Sequence, residues 1–124
     1  MGVPGGHVRL GASGEEAAAA WYLARGYEVV AHNWRCPEGE LDLVVARTGE
    51  LVFCEVKTRT SDRFGLPAEA VTRAKQRRLR TLAARFLASG AAPPLPPGRA
   101  RPRTVRFDVA CVLAGEVSVI EAAF

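Results

Sequence analysis

The sequence predicts an α/β domain, a mixed sheet flanked by helices in the order α-β-β-β-α-β-β. Three observations predict it. Two strand-like runs, Gly39–Val45 and Leu51–Lys57, face each other across a short turn. A second helix is marked by Val71, Leu79, Leu82 and Phe86, which fall within a stripe of about 80° at helical period. Beyond it, Thr104–Leu113 alternates cleanly, with Val105, Phe107, Val109, Cys111 and Leu113 on one face.

Each element has its own local signal. Met1–Leu10, with three glycines and a proline, reads as a loose terminus, and residues 11–124 as a single domain. Ser13-Gly14-Glu15-Glu16 is a capping box, with Ser13 as N-cap and Glu16 reaching back. The helix it opens runs through Trp21, Tyr22 and Leu23 to Gly26, a natural residue just past a helix end. Its alanines blur the apolar face, so periodicity leaves the direction of Glu15 open. Tyr27–His32 is a first strand, and Cys36-Pro37-Glu38-Gly39 a turn. The hairpin covers residues 40–46 and 51–57. After a polar loop from Thr58 to Leu66, Pro67 suits the first turn of the second helix, which runs to Ala88 before Gly90. Lys75 falls inside that helix's apolar stripe. Residues 91–103 form a stiff Pro/Arg-rich connection. Gly115 turns the chain into a last strand, Val117–Ile120.

At 124 residues the chain is long enough for one hydrophobic core, and 48% apolar with 24% charged residues is ordinary for a globular protein. The net charge is +4, and 13 of the 17 basic residues lie between Lys57 and Arg106, so the second half leans towards polyanions. Cys36, Cys54 and Cys111 make an odd number without a CxxC pair, which argues against a disulfide framework or zinc site and suits a reducing cytosol. Cys54 and Cys111 read as small buried hydrophobes. No apolar run approaches the ~20 residues of a membrane span, and Met1–Leu10 lacks the apolar core of a leader. A cytoplasmic protein with no membrane contact is expected.

The hairpin carries charge where strands are usually apolar. With the turn centred between Thr48 and Gly49, Asp42 falls opposite Glu55 and Glu40 opposite Lys57. Period-two alternation puts Glu40, Asp42, Phe53, Glu55 and Lys57 on one face. Like charges about 5 Å apart destabilise a sheet unless something positive lies between them. A divalent cation meets that need; hard carboxylate oxygens select Mg²⁺ or Mn²⁺, and Lys57 beside them can orient water or stabilise developing charge. The residue choice supports a specific duty for lysine. The chain has 15 arginines and two lysines, Lys57 and Lys75, and only lysine is a compact charge that can lose its proton. The bland alternative is a cross-strand cluster, with Glu40 paired to Lys57 and Asp42 held by an arginine.

Asp42 followed by Glu55-Val56-Lys57 resembles the D…(D/E)xK signature of restriction-endonuclease-like nucleases, whose core order is also α-β-β-β-α-β. More specifically, Gly14-Glu15, Asn33-Trp34-Arg35, Gly39–Leu43, Val52–Arg59, Phe64-Gly65, Lys75 and Arg106–Val109 resemble the YraN-type family of endonuclease-like proteins in the PD-(D/E)xK superfamily, over about Gly11 to Ala122. The resemblance implies metal binding by Asp42, Glu55 and the backbone carbonyl of Val56, with Asp42, Glu55 and Lys57 catalytic. It also implies Glu15 as an added acid from the first helix. Leu41 stands where the superfamily often has proline, and Cys54 where relatives often carry valine; neither change removes a ligand.

Arg59, Arg73, Lys75, Arg77 and Arg78, together with Arg80, Arg99, Arg101 and Arg103, either track phosphates or form a solvated face. Asp108 reads as a structural hydrogen-bonding residue. The expectation is a metal-dependent nuclease acting on nucleic acid, with DNA favoured over RNA and structured or branched DNA as one option. A non-catalytic nucleic-acid-binding protein of the same fold is the alternative, and a purely structural domain a third class. No base-reading helix is evident, so backbone and shape recognition is expected. A homodimer is open by analogy alone.

Overall fold

The computed structural model describes residues 13–59, 71–91 and 104–124. Its elements are α1 (Ser13–Leu23), β1 (Glu28–Cys36), β2 (Gly39–Arg47), β3 (Glu50–Arg59), α2 (Arg73–Ala88), β4 (Thr104–Leu113) and β5 (Glu116–Ile120). The expected order is present. The five strands form one sheet in the order β1-β2-β3-β4-β5. Pairing is antiparallel except between β3 and β4, which run parallel and are joined through α2. A parallel pair needs a crossover, and the apolar stripe of α2 supplies one that can pack on the sheet.

Both faces of the central strands are buried, which explains the nearly unbroken apolar run Leu51–Cys54. On one face, Leu79, Leu82 and Phe86 of α2 pack on Val44, Phe53, Phe107 and Val109. On the other, Ala18 and Tyr22 of α1 pack on Leu43, Val45, Val52 and Ala110. Gly26, at φ +88°, ends the α1 turn as expected. Among the described residues, no helix is long and apolar enough to cross a membrane.

Three boundaries differ from expectation. The first strand continues past His32 to Cys36, because an irregularity between Val29 and Ala31 and a left-handed Asn33 (φ +51°) re-aim it along β2. That shortens the turn to Pro37 and Glu38. The second helix begins at Arg73 rather than Pro67. Thr72, in extended conformation, caps it by accepting from the Lys75 N–H at 3.2 Å. The expected Ser13 cap, the loose N-terminus, Pro67 and the Pro/Arg-rich connection lie outside the described residues or at their boundary. Cys54 is buried, as expected, but Cys111 is only half-buried on β4.

Asp108 is the polar knot of the α1 side and is 1% exposed. Its carboxylate accepts from Tyr22 Oη at 2.6 Å, from Arg106 Nε and Nη2 at 2.8 and 3.0 Å, and from the Ala122 N–H at 3.0 Å. The structural role expected of Asp108 is thus met, and Arg106 is committed to it. Burial pushes the neighbouring Cys54 thiol up to about 12, so it remains protonated. A Tyr22→Phe protein keeps the ring packing but loses a hydrogen bond to a charged group. It is expected to lose about 1.5–3 kcal/mol of stability in urea denaturation; a loss under about 0.5 kcal/mol would mean that Arg106 and Ala122 suffice.

Candidate functional site

The hairpin has the expected register. Leu43, Val44, Val45, Ala46 and Arg47 pair with Cys54, Phe53, Val52, Leu51 and Glu50 around Thr48-Gly49. Backbone pairing then stops. At the next position the Asp42 carboxylate accepts the Val56 N–H at 2.9 Å, so a side chain stands where a backbone carbonyl would otherwise serve. β3 continues beside β4 as far as Arg59↔Leu113 without its β2 partner. N–H and C=O of an extended residue point to the same side, so the Val56 carbonyl faces the gap that opens.

That gap forms a cleft of about 180 Å³ under the first half of α2. Glu40, Asp42, Glu55, Lys75 and Arg78 line it above Leu79 and Leu82. Gly39, at φ +145°, lets the entry of β2 pass close to Leu82 in a conformation that side chains rarely adopt.

Glu55 is 8% exposed and holds both lysines of the chain on one oxygen. Lys75 Nζ lies 2.8 Å and Lys57 Nζ 3.2 Å from Glu55 Oε2. Lys75 reaches it because the inward stripe of α2 faces this part of the sheet. The expected Glu40–Lys57 pair is not formed. Glu40 instead pairs with Arg35 at 3.3 Å, since β2 and β3 part after Asp42 and their further residues no longer face each other.

Glu15 enters from the start of α1. The buried Gly14 beside it touches β3 so closely that a Cβ there would lie 2.0 Å from Thr58 Oγ1. Burial raises the pKa of Glu15, the Asn33 side chain works the other way, and the Glu40 and Glu55 charges add to the rise. Glu15 does not join Asp42 and Glu55 in a cluster. Among the described residues, no group of three or more His, Cys, Asp or Glu side chains is placed to hold one metal ion. Asn33 is the neighbour that sequence reasoning gave no role. Its signal was available: asparagine inside a strand marks a left-handed position.

The basic residues divide. Arg73, Arg77 and Arg78 are exposed on α2, and Arg59 is half-buried at the end of β3. Lys75 is held by Glu55, Arg80 lies over the Phe107 and Phe124 rings, and Arg85 pairs with Glu38. Arg99, Arg101 and Arg103 lie outside the described residues.

Burial first, and the Glu55 charge second, push the Asp42 carboxyl up to about 7 against the pull of the Val56 N–H. Burial also works to raise Glu55, but Lys75 and then Lys57 outweigh it and hold that carboxyl below its ordinary value. Burial and the nearby Lys75 lower Lys57, while burial of Lys75 is overcome by its bond to Glu55, leaving Lys75 raised. The site therefore holds an ionised Glu55 beside an Asp42 that gives up its proton much less readily.

An α-β-β-β-α-β order on a mixed sheet is the core of a restriction-endonuclease-like protein of the PD-(D/E)xK superfamily. Residues 14–112 match the family described as "Uncharacterised protein family UPF0102", the YraN-like branch of that superfamily, and the chain belongs to it. A UPF0102 protein of Beutenbergia cavernae is 58% identical over 105 residues, covering 84% of this chain and 81% of its own. One from Symbiobacterium thermophilum is 48% identical over 107 residues, covering 86% and 84%. One from Moorella thermoacetica is 46% identical over 123 residues, covering 94% and 95%.

The Asp42 shift has a signed consequence. Its ordinary value is 3.8 and its folded value about 7, so between those pH values the native state binds more protons than the unfolded chain. Stability in metal-free buffer is expected to fall as pH rises from 5 to 8. Glu55, shifted the other way, acts below its ordinary 4.5 and so outside this window. Asp42→Asn keeps an oxygen for the Val56 N–H but cannot ionise. Melting temperatures in EDTA should show the variant gaining on wild type across that range; parallel profiles would refute the shift.

Proposed function

We propose that this protein is a divalent-cation-dependent nuclease whose site is the parting of β2 and β3. One observation carries it: Asp42 and Glu55 come together at the rim of a cleft, with Lys57 on Glu55 and the basic face of α2 alongside. The donor set fits a hard cation. Two carboxylates and the Val56 carbonyl offer oxygen only, and two protein carboxylates suffice for a metal that keeps several waters. Asp42, Glu55 and Val56 would hold it, with Glu15 adding negative charge from α1.

A bound Mg²⁺ or Mn²⁺ supplies a polarised phosphoryl oxygen and a water of lowered pKa. The protein's own groups do the rest. Val56 N–H fixes the Asp42 carboxylate, and Glu55 positions Lys57. Burial already lowers the Lys57 pKa, which suits the ammonium to orienting a water or meeting charge on the phosphoryl group. Arg59, Arg73, Arg77 and Arg78 grip the backbone, with Lys75 at the cleft. Contacts of this kind position nucleic acid without reading bases, so substrate choice follows shape. DNA is the favoured partner, and structured or branched DNA the form a shape-reading site best explains.

One observation favours a second reading, a nucleic-acid-binding protein without turnover: no third acid joins Asp42 and Glu55 among the described residues.

Mn²⁺ separates the two. Wild type is expected to melt at higher temperature with Mn²⁺, and Asp42→Asn to lose that gain; equal gains would sink the nuclease assignment. With Mg²⁺, cleavage should fall by about 100-fold or more in Lys57→Ala. Arg77→Ala and Arg78→Ala should each lower the salt dependence of DNA binding by about one unit of log–log slope. Salt-independent binding would remove the phosphate-gripping role.

A further inference from the structure

Glu55 Oε2 is crowded. Lys75 Nζ and Lys57 Nζ both lie against it, at 2.8 and 3.2 Å. Two ammoniums against one carboxylate oxygen leave no room there for a third positive charge. Lys57 lies two residues along the same strand and its side chain is 19% exposed. Lys75 comes from the other wall of the cleft, is 30% exposed and makes the shorter contact. A cation that is to use Oε2 must displace one ammonium. Lys75 is the one with somewhere to go, since its long stem lies on the open cleft beside Arg78.

We infer that Lys75 is an internal counter-ion that occupies the cation's place on Glu55, sets the affinity for divalent metal, and is released into the cleft when metal arrives. This deepens the metal-dependent reading above and rests on it. The arrangement compensates the Glu55 charge when no metal is bound, sparing β3 a buried unpaired carboxylate. It also couples two events. Metal entry frees a positive charge beside Arg78, where a phosphate would be gripped, so each ligand should strengthen the other's binding.

Calorimetric titration with Mn²⁺ alone tests this on the full chain. Lys75→Met is expected to bind Mn²⁺ about tenfold more tightly than wild type, because a competitor has gone. Arg77→Met, which removes an exposed charge of the same helix, should change affinity less than about twofold. A Lys75→Met protein that binds Mn²⁺ equally or more weakly, where wild type binds it, overturns the inference and leaves the metal site standing. Absence of Mn²⁺ uptake by both overturns the inference and the metal site together.

A second measurement needs no folded variant. With ¹³C-labelled lysine, wild type gives two side-chain ε signals. The one answering to Lys75 is expected to move towards the position of free lysine at saturating Mg²⁺. Two unmoved signals would equally overturn the release.

Discussion

The bond from the Val56 N–H to the Asp42 carboxylate is the contact on which the site depends. A hairpin ladder is self-propagating: each backbone pair positions the next, and nothing in β3 itself calls for a stop. Asp42 stops it by offering a side-chain oxygen where the next carbonyl would stand. From there β2 stays with β1 and β3 with β4. The cleft and the loss of Glu40 as a partner for Lys57 both follow from that substitution of acceptor.

Two neighbouring carboxylates are held in different states beside that contact, although the Val56 N–H itself pulls Asp42 down. Glu55 has two ammoniums and is ionised; Asp42 has one amide N–H and an anionic neighbour, and retains a proton more readily. Two acids pushed apart by their surroundings are a common basis for a division of labour in catalytic sites. Here burial lifts Asp42, while the two lysines of an arginine-rich chain hold Glu55 down. Arginine in either place would bring a broad, fixed fork of donors to a site that has room for single points of charge.

Much of this was legible in the residues. The turn at Thr48-Gly49 determined the hairpin register, and register alone brought Asp42 to Glu55. The scarcity of lysine singled out Lys57 and Lys75 before any geometry was known, and the position of Lys75 on an apolar stripe placed it inward. What escaped was local competition between side chain and backbone. Periodicity describes a continuing ladder, so it paired Glu40 with Lys57 beyond the point where Asp42 ends it. Similarly, Pro67 is a good helix opener, but Thr72 captures the Lys75 N–H and the helix starts there. The alanines of α1 hid which way Glu15 turns; a bare contact between Gly14 and Thr58, invisible in any pattern, settles where the helix begins against the sheet.

Asp108 bears on how the chain reaches this state. Its partner Tyr22 lies 86 positions earlier in the sequence, and its partner Ala122 near the far end. During synthesis α1 emerges long before the carboxylate that anchors its tyrosine, and it must wait for β4 to complete the face it rests on. Contacts of such long separation slow folding, because chain entropy is lost before they repay it. Glu15 and Gly14 travel with α1, so the acid that α1 contributes is among the last parts to be seated. A ribosome-bound chain that already carries Asp42, Glu55 and Lys57 would therefore still lack the finished candidate site.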